Sequence, residues 1–221
     1  MFSDYYYLRK GFIVESNFKL MFNFIGSLKE EINCIYGPAS SGKTTLALMT
    51  AIEAAENGRV LFIDTENGFS LDRFKQLAGQ DYEKLLEKIF IIKVGSFEDQ
   101  CKKVQQALKI ADKFNLIIVD SLSVHYRKEI HRDAKKTNNE LSQQMQIFSQ
   151  ITQDYKIPVL LTNQVYDNMD TNERTMVGGN MMKNWSKKLI ELSINPRKLK
   201  IIKPETKEIK IEINEKGIIP V

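Results

Sequence analysis

Cysteine is scarce in this chain: two residues of 221, Cys34 and Cys101. One lies in a strand-like apolar run and the other in a helix-like one, so no disulfide framework is suggested and a reducing cytoplasm is the expected setting. Long apolar runs are also missing. The nearest approach, FKLMFNFIGSL, is broken by Lys19, Asn23 and Gly26, and is too short and too polar to cross a membrane. The opening MFSDYYYLRKG lacks the basic-then-apolar order of a secretion signal. No internal repeat, low-complexity segment or linker rich in Gly, Pro or Ser interrupts the chain, which excludes a repeat array and argues for one domain. Global disorder is excluded by a hydrophobic content of 43%.

Charge is modest overall and uneven in place. The net charge is +4. From Lys183 to Val221 ten Lys and Arg stand against five Glu, so the remaining residues sum to about neutral. Between His125 and Glu140 the basic residues Arg127, Lys128, Arg132, Lys135 and Lys136 outnumber three acids. Such patches attract polyanions, and they also occur as solvated faces.

Short apolar strands alternate with helical patterns. EINCIY (31–36), RVLFID (59–64), IFIIKV (89–94), NLIIVD (115–120) and PVLLTN (158–163) read as strands. Between them, 43–56, LDRFKQLA after a capping Ser70, and a segment running from the Ser96/Asp99 capping box to about Lys113 read as helices. Thr137 and Glu140 form a second capping-box pattern, predicting a helix to about Asp154 with Leu141, Met145 and Phe148 inward and a basic loop, Tyr126–Lys136, before it. Continuous apolar strands alternating with helices predict an α/β fold with a mostly parallel sheet flanked by helices. After Trp185, KKLIELSI, KLKIIK and EIKIEI follow with no helix between them, and KPETK reads as a hairpin turn. The tail is therefore expected to extend the sheet with antiparallel strands. The boundaries expected are 1–30 as an N-terminal arm or first elements and 31–221 as the core.

GPASSGKT, Gly37–Thr44, fits the pattern G-x-x-x-x-G-K-[ST] in the setting the pattern requires, after a strand and opening a helix. Backbone N–H groups and the helix dipole there make an anion cradle. Lys43 would reach the β- and γ-phosphates of a nucleotide and Thr44 would place its hydroxyl on Mg²⁺. Asp120, closing LIIVD, suits a metal-side carboxylate. A strand beside the phosphate-loop strand would bring its C-terminal end to the phosphates; of the two acids in IDTENG, Asp64 lies within or at the edge of the strand and Glu66 just beyond it with longer reach, so Glu66 is the candidate water-orienting base and Asp64 could instead hold the local turn. Asn163 and Gln164 end LLTNQV. The plain reading is strand-end amides satisfying backbone groups; the functional one is Gln164 as a γ-phosphate sensor acting on the polar loop Tyr166–Val177, with VGGN supplying flexible glycines.

The set GPASSGKTT, DTENGF with DRF, LIIVDS with YR and ELSQQM, LLTNQV, and GGN before Trp185 resembles the RecA-type recombinase ATPases, over roughly residues 30–221. Within that family it resembles an archaeal paralogue branch of the strand-exchange recombinase. The resemblance implies a RecA-like ATPase core binding ATP and Mg²⁺. It places Gly37, Pro38, Ala39, Ser40, Ser41, Gly42, Lys43, Thr44 and Thr45 on the nucleotide, Thr44 and Asp120 on the metal, Glu66 as catalytic glutamate, and Gln164 as phosphate sensor. Arg73 falls where family members stack an arginine on adenine. The segment after Asp120, carrying Arg127, Lys128, Arg132, Lys135 and Lys136, matches the first DNA-binding loop region, and Tyr166–Val177 the second.

Departures from the pattern shape the expected function. Family recombinases carry a helical DNA-binding domain and a Phe-x-x-Ala polymerisation motif ahead of the core. Only 36 residues precede Gly37, and FKLM and FNFI lack the alanine. Filament formation and autonomous strand exchange are not expected. The resemblance implies instead a DNA-binding accessory with weak ATPase activity in recombination and repair, partnered with single-stranded or branched DNA and with a recombinase or Holliday-junction resolvase. Two other readings compete: a regulatory ATPase that acts on proteins without DNA, and a small-molecule kinase. The pairing of Glu66 with Gln164 suits attack by water better than transfer to a hydroxyl.

Overall fold

A computed structural model describes residues 14–168 and 173–221. The YYY segment at the start and residues 169–172 lie outside the described residues. Helix α1 (Val14–Ile25) precedes β1 (Ile32–Gly37), α2 (Lys43–Asn57), β2 (Val60–Asp64), α3 (Leu71–Ala78), α4 (Tyr82–Leu86), β3 (Ile89–Lys93) and α5 (Phe97–Lys109). Then come β4 (Leu116–Asp120), α6 (Ser123–Glu129), α7 (Ala134–Asp154), β5 (Val159–Asn168), β6 (Glu173–Met176) and α8 (Gly179–Trp185). Strands β7 (Lys188–Ile194), β8 (Arg197–Lys203), β9 (Lys207–Asn214) and β10 (Gly217–Pro220) close the chain. The sheet order is β10-β9-β8-β7-β1-β5-β4-β2-β3, with β6 paired to β5. Strands from β7 across to β3 are parallel. Strands β8, β9 and β10 extend the sheet antiparallel, as the helix-free tail predicts. This is a RecA-like core, a mostly parallel sheet between helices with an antiparallel C-terminal extension.

Alternation along the strands builds two cores. Ile35, Phe62, Ile118 and Leu160 face α2, Phe74 of α3 and Met21 of α1. Cys34, Ile63, Val119 and Leu161 face Val104 of α5 and Met145 and Phe148 of α7. Every residue of β2 and β4 is buried, which explains why those strands read as unbroken apolar runs. Each fully buried phenylalanine, Phe74 or Phe148, contributes roughly 2–3 kcal/mol by leaving water. Helices α2 and α3 cover one face and α5 and α7 the other, so connections leave the sheet in opposite directions and open a crevice at the C-terminal strand ends.

Several expectations need correction. Strand β2 is not beside β1; β5 and β4 lie between them. The premise that selected Glu66 is therefore wrong, and another route brings that residue to the site. Helix α7 begins at Ala134, not Thr137. Asp133 is its cap, its carboxylate accepting the Lys136 N–H at 2.9 Å, whereas Thr137 is buried inside the helix with its hydroxyl on the Asp133 carbonyl at 2.6 Å. A carboxylate at the N-cap favours the helix start through both hydrogen bond and dipole, so the earlier start wins. Most of the expected basic loop is likewise ordered. Residues 123–129 form α6, anchored by an edge-on contact of Tyr126 with Phe97 and by Tyr126 Oη donating to Asn138 at 2.8 Å. The expected loop at Tyr166–Val177 is largely a hairpin, with Val165–Asn168 paired to Glu173–Met176. The two glycines that follow it, Gly178 and Gly179, lead into α8, both adopting positive φ, 77° and 49°.

Candidate nucleotide site

The phosphate loop leaves β1 at Gly37, where only glycine fits: a Cβ there would lie 2.3 Å from the Leu192 carbonyl oxygen of β7. Gly42, at φ 103°, turns the loop into α2 over the side chains of Ile213 and Ile218. Unlike α3, α5 and α7, which are capped by Ser70, Ser96 and Asp133, α2 has no side-chain cap and no acid in its first turn. Its leading N–H groups are open to an anion. The buried Ser41 hydroxyl has no hydrogen-bond partner in the protein. The Lys43 ammonium folds back on the Gly37 and Pro38 carbonyls at 3.0 and 2.7 Å. Burial pulls its pKa below the usual lysine value, while Glu66 and Asp120 pull it up. A phosphate would replace the two carbonyls as partner and keep the ammonium charged.

Asp120, at the end of β4, is 3% exposed. One carboxylate oxygen accepts the Thr162 hydroxyl from β5; the other meets no hydrogen-bond geometry, although the Thr44 hydroxyl lies close enough to favour its charged form. Burial pushes its pKa up; the Thr162 and Thr44 hydroxyls oppose this, and the neighbouring carboxyls Glu66 and Asp64 add to it. A buried carboxylate with an orphaned oxygen beside a hydroxyl is a hard-oxygen donor pair that fits Mg²⁺. Among the described residues no cluster of three or more His, Cys, Asp or Glu could hold a metal unaided. Mg²⁺ takes few protein ligands and completes its shell with phosphates and water.

Glu66 reaches the site through the loop after β2. Asp64 holds that loop, as expected, by accepting the N–H groups of Glu66, Gly68 and Phe69 at 3.0–3.2 Å. Thr65 stitches it to β4, its hydroxyl accepting the Ser121 N–H at 2.8 Å and donating to the Ser121 carbonyl at 2.6 Å. The loop therefore crosses over β4, and Glu66 Oε1 accepts both the Ser121 hydroxyl and Gln164 Nε2, the latter at 2.9 Å. Gln164 is paired in register with Gly37, at the root of the phosphate loop. Its backbone N–H donates to Ser123 Oγ at 3.1 Å, and its Oε1 accepts from Arg127 Nη1 at 3.2 Å. Asn163 takes the plain role, its amide holding the Val177 carbonyl at 2.8 Å.

Other candidates divide. Arg73 donates to the carbonyls of Asn214 and Glu215 at 2.7 and 3.3 Å, which ties α3 to the β9–β10 turn. Arg127 and Lys128 line a shallow groove with Val124, His131 and Gln164. Arg132 is drawn to Glu129 at 3.2 Å, and Lys136 lies 3.9 Å from Glu140. Lys135 is exposed in the first turn of α7. Ala39 and Ser40 form the exposed tip of the phosphate loop, where Arg197 of β8 donates to the Ser40 carbonyl at 3.3 Å. The sequence reading did not single out Ser121, Ser123 or Thr162. Ser121 follows the end of β4, Ser123 opens α6 and Thr162 lies inside β5, so the hydroxyls give no local signal; pairing of β4 with β5 is what brings Thr162 to Asp120.

A family model described as Rad51 matches residues 22–220. The chain belongs to the Rad51 family. Similar Rad51-family relatives are proteins named "DNA repair and recombination protein RadB". The one from Methanosphaera stadtmanae is 34% identical over 206 residues, covering 86% of this chain and 88% of its own. The one from Methanococcoides burtonii is 39% identical over 162 residues, 72% of each chain. A solved structure titled "Crystal structure of the RadB recombinase" superposes with a TM-score of 0.76 at 28% identity, over 92% of this chain and 97% of that one. Rad51-family proteins are in general ATPases that bind nucleotide with Mg²⁺. The open end of α2, the orphaned Asp120 oxygen and the Thr44 hydroxyl are a site such a ligand fits.

Proposed function

We propose that this protein binds ATP with Mg²⁺, hydrolyses it slowly, and couples the nucleotide state to binding of DNA as an accessory factor in recombination and repair. The observation that carries this reading is the convergence of the phosphate loop, Asp120, Glu66 and Gln164 at adjacent ends of β1, β5 and β4, with the groove of Arg127 and Lys128 beside them. The relatives' names bring in DNA repair and recombination.

In this reading Lys43 and the first-turn N–H groups of α2 hold the phosphates, and Thr44 and Asp120 hold Mg²⁺. The ion, when bound, offsets phosphate charge. Glu66 orients and accepts a proton from the attacking water. Gln164 senses the terminal phosphate: engaging it means leaving Glu66, which moves the strand that continues into the β5–β6 hairpin. Arg127, Lys128, Arg132, Lys135 and Lys136 supply DNA phosphate contacts, with Arg127 and Lys128 first. Residues 31–221 act as one core, with α1 packed into it through Met21 and Ile25. The chain acts on a recombinase or a Holliday-junction resolvase rather than exchanging strands itself.

Fluorescence anisotropy on single-stranded DNA, with and without ATP across salt concentrations, is the direct test. Binding that weakens steeply with salt and responds to ATP is expected. No binding at low salt in either nucleotide state refutes the DNA half. A protein-directed regulatory ATPase is then favoured, and the ion pairing of Arg132 and Lys136, which leaves fewer open cations than the charge count suggests, points the same way.

A further inference from the structure

Gln164 is held at both ends of its carboxamide. Arg127 can only donate, so the amide oxygen faces it, at 3.2 Å, and the amide nitrogen must then face Glu66, at 2.9 Å. Glu66 Oε1 already accepts the Ser121 hydroxyl, so it takes two donors at once. With two donors already on it, this oxygen has both lone pairs engaged and leaves no open place for a water O–H. Nor can the Gln164 amide turn to a phosphate while it spans these two residues.

We infer that Arg127 is a positioning residue whose hydrogen bond to Gln164 keeps Glu66 in a resting state, and that a nucleic-acid phosphate entering the Arg127–Lys128–His131 groove releases it by taking the guanidinium. This rests on the ATP and DNA reading above. The groove's lining, Val124, Arg127, Lys128, His131 and Gln164, includes no carboxylate, and nearby Glu129 is turned to Arg132. A phosphate oxyanion accepts a more strongly charged hydrogen bond than a neutral amide, so the exchange runs toward the phosphate. Arg127 thereby answers to two partners of different strength, one inside the nucleotide site and one outside the protein. A residue serving DNA contact alone has no influence on hydrolysis when DNA is absent, and that difference is measurable.

The test uses the full chain with Arg127→Ala and Arg127→Lys, following phosphate release from ATP and Mg²⁺ with and without oligothymidylate. Arg127→Ala is expected to raise the DNA-free kcat about fivefold, the scale of one hydrogen bond to a charged donor at an exposed site. KM for ATP is expected to hold, and stimulation by oligothymidylate to disappear. Arg127→Lys keeps a donor, and its DNA-free rate is expected to fall between the two. A DNA-free rate in Arg127→Ala at or below wild type overturns the inference. So does an Arg127→Lys rate no closer to wild type than that of the alanine variant. The side-chain amide resonances of Gln164 in nucleotide-free protein read the same contact without catalysis. They are expected to shift in Arg127→Ala, and in wild type on adding oligothymidylate; unchanged resonances in both experiments overturn the latch. A wild type that releases no phosphate contradicts the hydrolysis reading instead, and the resonances then still decide the contact.

Discussion

Asp120→Asn should stabilise the protein and disable it. The carboxylate is 3% exposed, one of its oxygens lacks a hydrogen-bond partner, and burial with the repulsion of Glu66 and Asp64 disfavours its charge although the Lys43 ammonium is attracted to it. Asparagine keeps the oxygen that accepts the Thr162 hydroxyl and places an amide where the orphaned oxygen stands, beside Thr44, which can accept it. Relieving an unsatisfied buried charged group is worth about 1–3 kcal/mol. At about 2–4 °C per kcal/mol for a chain of this size, melting of nucleotide-free Asp120→Asn should rise by roughly 2–12 °C at neutral pH. The pH dependence has a definite sign. Burial raises the folded-state pKa of Asp120 above the unfolded value of about 3.9, so its destabilising charge is absent well below pH 4 and complete once pH passes the folded-state pKa. The advantage of the variant should therefore vanish in acid and grow as pH rises. With nucleotide and Mg²⁺ at about 100 times Kd, wild type should gain about 2.7 kcal/mol, and the variant should lose the part that Mg²⁺ adds. Differential scanning calorimetry with and without ligand across pH measures all of this. A nucleotide-free variant that melts below wild type at neutral pH refutes the reasoning.

Lys43→Ala should lose most nucleotide affinity with little loss of fold, because its present partners are two loop carbonyls that water can satisfy; calorimetric titration with ATP measures it. Gln164→Ala should melt within about 1 kcal/mol of wild type, since its side-chain bonds are exposed and its backbone bond to Ser123 remains, and should bind ATP yet lose any ATP effect on DNA affinity in the anisotropy assay. Gly37→Ala should cost about 3 kcal/mol, read by urea unfolding, because the new methyl meets the backbone carbonyl of Leu192 rather than a movable side chain.

Much of the fold was legible because the signals are local. Continuous apolar runs marked the buried strands, and Ser70 and Ser96 cap their helices as expected, each accepting the N–H three residues on. The Ile and charge alternation of EIKIEI marked a strand of the antiparallel tail. The cap of α7 was read at Thr137 and Asp133 was not considered, because nothing in the sequence shows that Thr137 is enclosed in the core.

The sequence by itself determined the chemistry available: a glycine-framed loop opening a helix, a carboxylate at a strand end, and an amide at the next. Those depend on residues close along the chain. Tertiary structure alone decided which of them meet. Strand order separates β2 from β1, yet Thr65 and Ser121 stitch the following loop across β4 and deliver Glu66 to Gln164, which β5 sets beside Gly37. The same packing split the basic segment, leaving Arg127 on Gln164 and drawing Arg132 to Glu129. Strand pairing is long-range, and its partners are chosen by burial on both faces of the sheet rather than by neighbours in the chain.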